Sequence, residues 1–525
     1  MNNTEKIRGK NQRGQTVTQI SSRLKMFKSK KIQTAMLIVV ILIAIFFRFW
    51  QIRDYVVFLG DEGRDMIVMR NMFLQKRLTF LGPTASVGGF YLGPIYYWMA
   101  APFLLLSRFD PVGPSYMVAI LGVATVYLLF RFLKETVGFW PAILTSLLYS
   151  TAPLIVRYSR SSWNPNPLPF FALLMIYSLY LAISRKKYLF YVLAGACFGI
   201  AIQLHYLSAI LLAIAAAIIL INTAPKRWIV ILLSIFVGAV ITFSPFLIFE
   251  FKHNFPNFIT IREFVTRGTT VGYHTYNLID LLSNVGNILL EDITEFKSTI
   301  YTIVTFWVLT LGGIFGLITN WNNPQKKLVF SIGMIWFLGG LAGIRFYSGQ
   351  VFDYYFGFIF PAPFFLAGLV FSLFQKNKYL KLLPVTVTII ATVYFLSHGF
   401  YRHSPNRLIN QTETVADFVI EKSQGQPFNF AFITDHNSDH AYRYFLDIKG
   451  HKPTELETLI TDQLIVVCET RKCAPLGYPS WEIAGFGRGE IQDQWELPEI
   501  GIKVFRLTHW PGEPSPAGKP AIKGG

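Results

Sequence analysis

Ala35-Met36-Leu37-Ile38-Val39-Val40-Ile41-Leu42-Ile43-Ala44-Ile45-Phe46-Phe47 is unbroken hydrocarbon, and shortly after it comes Gly60-Asp61-Glu62-Gly63-Arg64-Asp65, where four of six residues are charged. With its flanks the apolar run extends from Ile32 to Trp50, within the roughly 17 to 25 residues that cross a bilayer as a helix. Charge placed at the edge of such a span usually marks chemistry.

The rest of the chain repeats the first half of that pattern. Of 525 residues, 52% are hydrophobic, 16% aromatic and 15% charged, well below the roughly 25% charged residues of soluble domains. Apolar runs recur to Phe400, at about 32–50, 115–133, 140–155, 167–184, 188–204, 206–222, 228–249, 299–319, 328–344, 354–374 and 382–400. The expected fold is therefore an all-α polytopic membrane domain of about 11 to 13 helices. Leu92–Leu106 is short, holds Pro94 and Pro102, and is read as lying in or dipping into the outer surface.

The net charge of +18 does not indicate a nucleic-acid partner, because of where the charge sits. Residues 1–31 carry nine Lys or Arg against the single acid Glu5, and Arg185-Lys186-Lys187, Lys226-Arg227 and Lys326-Lys327 fall in short alternate loops. That is the positive-inside pattern of a multi-pass cell-membrane protein. No small-residue cleavage site follows the first span, so it is expected to be a retained anchor behind a basic cytoplasmic tail.

This topology gathers the polar segments on the outer face: Gly60–Asp65, Arg157–Asn166, His205, Glu250–Ser298, Arg345–Asp353 and the C-terminal region. A transporter would tend to place polar groups near the midplane on broken, repeated helices.

Asp61-Glu62 after the first span, Gly93-Pro94-Ile95-Tyr96-Tyr97-Trp98 about thirty residues on, and the spacing of the later loops resemble the GT-C glycosyltransferases. The resemblance is greatest to the protein mannosyltransferase and aminoarabinose transferase branch and covers roughly residues 32–400. It implies a multi-helical enzyme using a polyprenyl-phosphate sugar donor, with its site at the outer leaflet, an acid in the first loop and inversion at the anomeric carbon. The acceptor, a lipid, glycan or protein, is left open. A lipid or polysaccharide transporter and a non-catalytic membrane scaffold are the competing readings.

Chemistry gives an independent reason for such residues: transfer to a hydroxyl needs a carboxylate near the attacking oxygen and cations near the leaving phosphate. Asp61 is the candidate base and Glu62 its support in acceptor or metal binding; the alternative is that these acids cap a helix starting near Gly63. Arg64, His205, Arg267 and Arg345 are the candidate phosphate-binding residues, and Arg267 is preferred for its bidentate fork. Arg160, Asn164, Asn166, Asp353, Tyr354 and Tyr355 are the candidate sugar or acceptor contacts, set against a Pro-punctuated turn and an interfacial aromatic belt. Relatives commonly carry an acid where this chain has Asn164 or Asn166, which weakens the case for a divalent metal without removing it.

The C-terminal region is different. Strand-like runs at Phe428–Thr434, Gln463–Glu469 and Gly501–Leu507, with helical candidates at Thr412–Lys422 and His440–Leu446, give a small α/β pattern. The expected organisation is a tail (1–31), a catalytic membrane domain (32–400), an extracytoplasmic α/β domain (401–508) and a disordered tail (509–525). Cys468 and Cys473 would sit in an oxidising compartment and are candidates for a bridge. Asp435, His436, Asp439 and His440 read as a loop capping a helix in preference to metal ligands.

Overall fold

The computed structural model describes residues 29–521 apart from 86–87, 268–277, 345–346, 348–350, 378, 436, 471–472 and 513. The eleven apolar runs are helical, although 140–155 divides into Phe139–Thr151 and Pro153–Tyr158, and 354–374 into a short 3₁₀ segment and helix Pro361–Leu373. Among the described residues seven helices are long and apolar enough to cross a membrane, and four more apolar helices are shorter. Ile95–Leu106 is one of the short ones, a helix of 12 residues that rises about 18 Å, too little to cross a hydrocarbon core of about 30 Å. It packs between helices Gly60–Leu74 and Gly113–Val137, burying Tyr96, Tyr97 and Leu104.

Lipid-like surroundings offer helices little hydrophobic reason to associate, so close fit has to hold them. Helices Leu189–Leu204 and Trp228–Lys252 show how. A Cβ at Gly195 would lie 1.9 Å from the Ile235 carbonyl oxygen, and one at Gly238 would lie 1.9 Å from that of Val192. Glycine on both partners lets the two backbones touch.

The C-terminal region forms a four-stranded sheet in the order β1-β2-β4-β3, with β1 Asn429–Ile433, β2 Gln463–Cys468, β3 Gly489–Leu497 and β4 Ile502–His509. β1 and β2 are parallel, joined through helix His440–Ile448, and the remaining pairs are antiparallel. Helices Leu408–Lys422 and His440–Ile448 cover one face, in a core continuous with the helical bundle. Leu456, Ile460, Ile483 and Phe486 cover the other. Cys468 and Cys473 form a disulfide at the end of β2. The tail expected to be disordered hydrogen-bonds through Ala521 along 456–460, with Ile460 N–H donating to the Lys519 carbonyl at 2.8 Å.

Candidate active site

The charged hexapeptide forms the first turns of helix Gly60–Leu74. Its N-terminus is capped by Glu62, whose Oε2 accepts the Leu59 N–H at 3.0 Å. Capping therefore falls to Glu62, which leaves Asp61 free of that task. Burial pushes the Glu62 carboxyl up to about 8, against the opposing effect of its backbone hydrogen bonds.

The three acids of this turn have separate environments. The Asp61 side chain is 54% exposed and that of Asp65 1%. Arg64 bridges them, donating to Asp61 Oδ1 at 2.9 Å and to Asp65 Oδ1 at 2.9 and 3.1 Å. Asp65 Oδ1 also accepts the Tyr97 hydroxyl at 2.8 Å. Burial raises Asp65 to about 6, with Arg64 and Tyr97 pulling it back. Asp65 thus anchors Arg64 and Tyr97 inside, while Asp61 faces out.

What Asp61 faces is a cavity of about 430 Å³ lined also by Glu62, Arg157, Tyr158, Trp163 and Asn166. Asp61 and Trp163 also line a second, narrower recess with Arg64, Asn164, His205 and Tyr354. Asp61 stands on the wall common to both, although the recess, at about 20 Å³, has room for little more than one water.

The segment after the third apolar run supplies the cavity's cation, and it is Arg157 in place of the expected Arg160. Arg157 is paired with Glu295, and its side chain is 55% exposed. Arg160 is 3% exposed. It donates to the carbonyls of Phe47 at 3.1 Å and Trp50 at 2.7 Å and lies 3.7 Å from the Phe400 ring centroid. It fastens the end of the first span and lines neither recess.

The two asparagines line the recesses while spending their amide donors locally. Asn164 Nδ2 donates to the Leu204 carbonyl at 2.7 Å and Asn166 Nδ2 to that of Ser161 at 2.6 Å. Their carbonyl oxygens remain as neutral acceptors. Asp353 Oδ1 accepts the Tyr158 hydroxyl at 2.6 Å and the Tyr354 N–H at 2.8 Å, so it holds two rings of the site in place. The His205 ring lies 4.7 Å from Tyr206, 5.9 Å from Tyr354 and 5.1 Å from Tyr355. Burial pushes His205 down to about 3, so it meets a ligand as a neutral ring, by hydrogen bonding and not by charge. Of the remaining phosphate candidates, Arg345 lies outside the described residues and Arg267 ends helix Pro256–Arg267 with its side chain outside them.

Two contributions come from far along the chain. Asn437 and Ser438 line the cavity, and Asn437 Oδ1 accepts the Gly60 N–H at 2.9 Å. Helix His440–Ile448 lies directly against the charged turn: a Cβ on Gly60 would be 1.9 Å from Ser438 Oγ, and one on Gly63 would be 2.3 Å from the Ala441 nitrogen. Arg70 and Asp447 close the contact at 2.6 Å. The two glycines of the hexapeptide exist for this docking.

A divalent ion would find little charge here. Among the described residues no three His, Cys, Asp or Glu side chains converge on a common point. Asp61, Glu62 and the neutral oxygens of the asparagines are the ligands the cavity offers, and Glu62 is already engaged at the helix N-terminus.

Comparison with known proteins bears on the fold. Residues 92–249 match the family model described as dolichyl-phosphate-mannose-protein mannosyltransferase. Over 116 residues the chain is 28% identical to YycA of Bacillus subtilis (strain 168), an alignment spanning 22% of this chain and 17% of that protein. The fold is similar to that of ArnT from Cupriavidus metallidurans bound to undecaprenyl phosphate, with a TM-score of 0.58 at 13% identity over 90% of this chain and 98% of that one. It is also similar to the oligosaccharyltransferase AglB from Archaeoglobus fulgidus in complex with an inhibitory peptide and a dolichol-phosphate, with a TM-score of 0.52 at 14% identity over 84% and 70% of the two chains. The GT-C resemblance read from the sequence therefore holds for the fold.

Proposed function

We infer that the chain is a membrane glycosyltransferase that moves a sugar from a polyprenyl-phosphate donor to an acceptor hydroxyl at the outer face of the membrane. The position of Asp61 carries the reading: the most exposed acid of the charged turn lines both the large cavity and the narrow recess. Support for the lipid donor comes from the family match and from the polyprenyl phosphates held by ArnT and AglB.

In this reaction Asp61 takes the proton of the acceptor hydroxyl as its oxygen attacks the anomeric carbon. The carbon–oxygen bond to phosphate breaks, and polyprenyl phosphate leaves with the electron pair; a single displacement of this kind inverts the anomeric centre. Negative charge grows on the phosphate as the bond opens, and Arg157 and Arg64 are the described cations placed to offset it. Arg64 serves twice, since its ion pair with Asp61 also fixes the position of that carboxylate. Trp163 lines the large cavity and packs on Tyr354 behind it, ring centroids 4.4 Å apart, and offers an apolar face to a sugar ring.

The basic loops favour an N-terminal tail in the cytoplasm and a 401–508 domain outside. On that placement the domain supplies Asn437 and Ser438 to the acceptor side of the cavity.

The test is release of polyprenyl phosphate from labelled polyprenyl-phosphate sugars by the purified protein in liposomes, across a panel of sugars with and without chelator. Turnover of one donor supports the reading. Movement of intact donor across the bilayer without loss of sugar would instead establish the transporter.

A further inference from the structure

A second cavity of about 430 Å³ lies at the other end of the C-terminal sheet, lined by residues at the starts of β1 and β2 and the end of β4. Asn437 and Ser438 follow the end of β1, so a five-residue strand, roughly 17 Å at about 3.3 Å per residue, separates it from the Asp61 cavity.

Two irregularities of the backbone lie in its wall. Gln424 and Gly425 have φ of +55° and +70°, a left-handed pair that ends helix Leu408–Lys422 and is uncommon for a residue with a side chain. In the β3–β4 ladder Ile491 pairs with Leu507 and Asp493 with Arg506, which leaves Gln492 as the extra residue of a bulge. Bulges re-aim a side chain and recur beside functional sites. Gln424, Gln426 and Gln492 are exposed and line the cavity with Thr508 and Asp462.

Charge at this cavity is low. Arg506, also in its wall, is held by Asp493 through Nε at 2.8 Å, so Asp462 is the one carboxylate left facing it among the described residues. A phosphate or other anion would meet no uncommitted cation. Amides donate and accept at once, as the hydroxyls of a sugar require.

We propose that this cavity is a second carbohydrate-binding site, which holds a neutral glycan segment through Gln424, Gln426 and Gln492 away from the reacting hydroxyl. Glycan binding here does not depend on the transfer reaction, whereas its use in retaining an acceptor rests on that reading. A glycan gripped here and presented near Asn437 would be retained between turnovers.

The experiment is equilibrium dialysis of labelled cellohexaose, maltohexaose and chitohexaose against the full chain in nanodiscs, with hexagalacturonate as the anionic comparison. Saturable binding of at least one neutral probe is expected, weakened at least tenfold in Gln424→Ala/Gln492→Ala and unchanged in Asp61→Asn. If the double variant shifts the thermal midpoint, Gln492→Glu takes its place and is expected to weaken binding at least threefold. Absence of saturable binding by all three neutral probes, equal binding of hexagalacturonate, or binding lost in Asp61→Asn and kept in the glutamine variants would overturn the proposal. Failure of donor turnover alone would overturn the transferase reading and leave this one standing.

Discussion

The Gly60–Asp65 turn and the Arg157–Asn166 segment meet across one cavity, and each holds a pair of like charges about one helical turn apart, Asp61 with Asp65 and Arg157 with Arg160. In each the pair divides. Asp61 faces the cavity and Asp65 is buried against Arg64 and Tyr97; Arg157 faces it and Arg160 is buried under Phe400 and the end of the first span. Residue type is shared within each pair, so access to the cavity separates chemistry from scaffolding. The scaffold member also does the positioning, since Asp65 fixes the arginine that bridges to Asp61.

The largest effect that can break this comparison is on Asp61. Asp61→Asn should lower the rate of sugar transfer by about 10²- to 10⁴-fold, the usual reach of a general base, with the thermal midpoint in detergent unmoved. Arg157→Ala should lower it by about 10²-fold, as loss of one electrostatic stabiliser does, again without a stability cost, because its ion pair is solvent-screened. Arg160→Ala should do the reverse. It strips the donor from two carbonyls, a loss of about 2 to 4 kcal/mol, and should lower the thermal midpoint by several degrees. Arg160→Lys should rescue little, because one ammonium does not reproduce the planar fork. A rate loss without a stability loss in Arg160→Ala would mean that burial is a poor guide to role here.

Smaller effects sharpen the picture of the turn itself. Gly63→Val puts a branched side chain where a Cβ already meets the Ala441 backbone at 2.3 Å, so it should loosen the docked helix, seen as faster proteolysis within 401–508. Glu62 gives the mildest effect, and one that depends on pH. Its carboxyl rises from 4.5 to about 8 on folding, so the folded state binds the proton more tightly than the unfolded one. Stability then declines as pH rises from about 4.5 to 8. Glu62→Gln keeps an oxygen to accept the Leu59 N–H and cannot ionise, so it should flatten that decline and raise the midpoint by a few degrees at pH 8. A wild-type midpoint level across that range would contradict the burial of Glu62.

Much of the helical scaffold was legible in the sequence because a spanning helix is a long local signal; the breaks at Ala152 and Phe360, which divide two of the apolar runs, were not. Three strands of the C-terminal sheet were legible for a similar reason, being apolar and bounded by polar turns. β3 was not. Gly489–Leu497 is a polar edge strand whose bulge at Gln492 breaks the two-residue period a strand is read by. In the site, Asp61 stood out by its place after the first span. The choice between Arg157 and Arg160 could not be read, because their spacing is compatible with either facing the cavity. Asn437 and Ser438 were missed as contributors to it, since docking across some 370 residues of chain leaves no local trace. Gly60 and Gly63 were its one signal, small residues on a charged turn with no turn to make.

Single-turnover release of labelled polyprenyl phosphate, with donor binding measured on the same samples, tests Asp61 against its neighbour. The expected result is that Asp61→Asn binds the donor as the wild type does and releases polyprenyl phosphate at least a hundredfold more slowly, while Asp65→Asn loses thermal stability and keeps a larger share of the rate. Release by Asp61→Asn at the wild-type rate, or loss of release in Asp65→Asn alone with its stability intact, would contradict the assignment of the base.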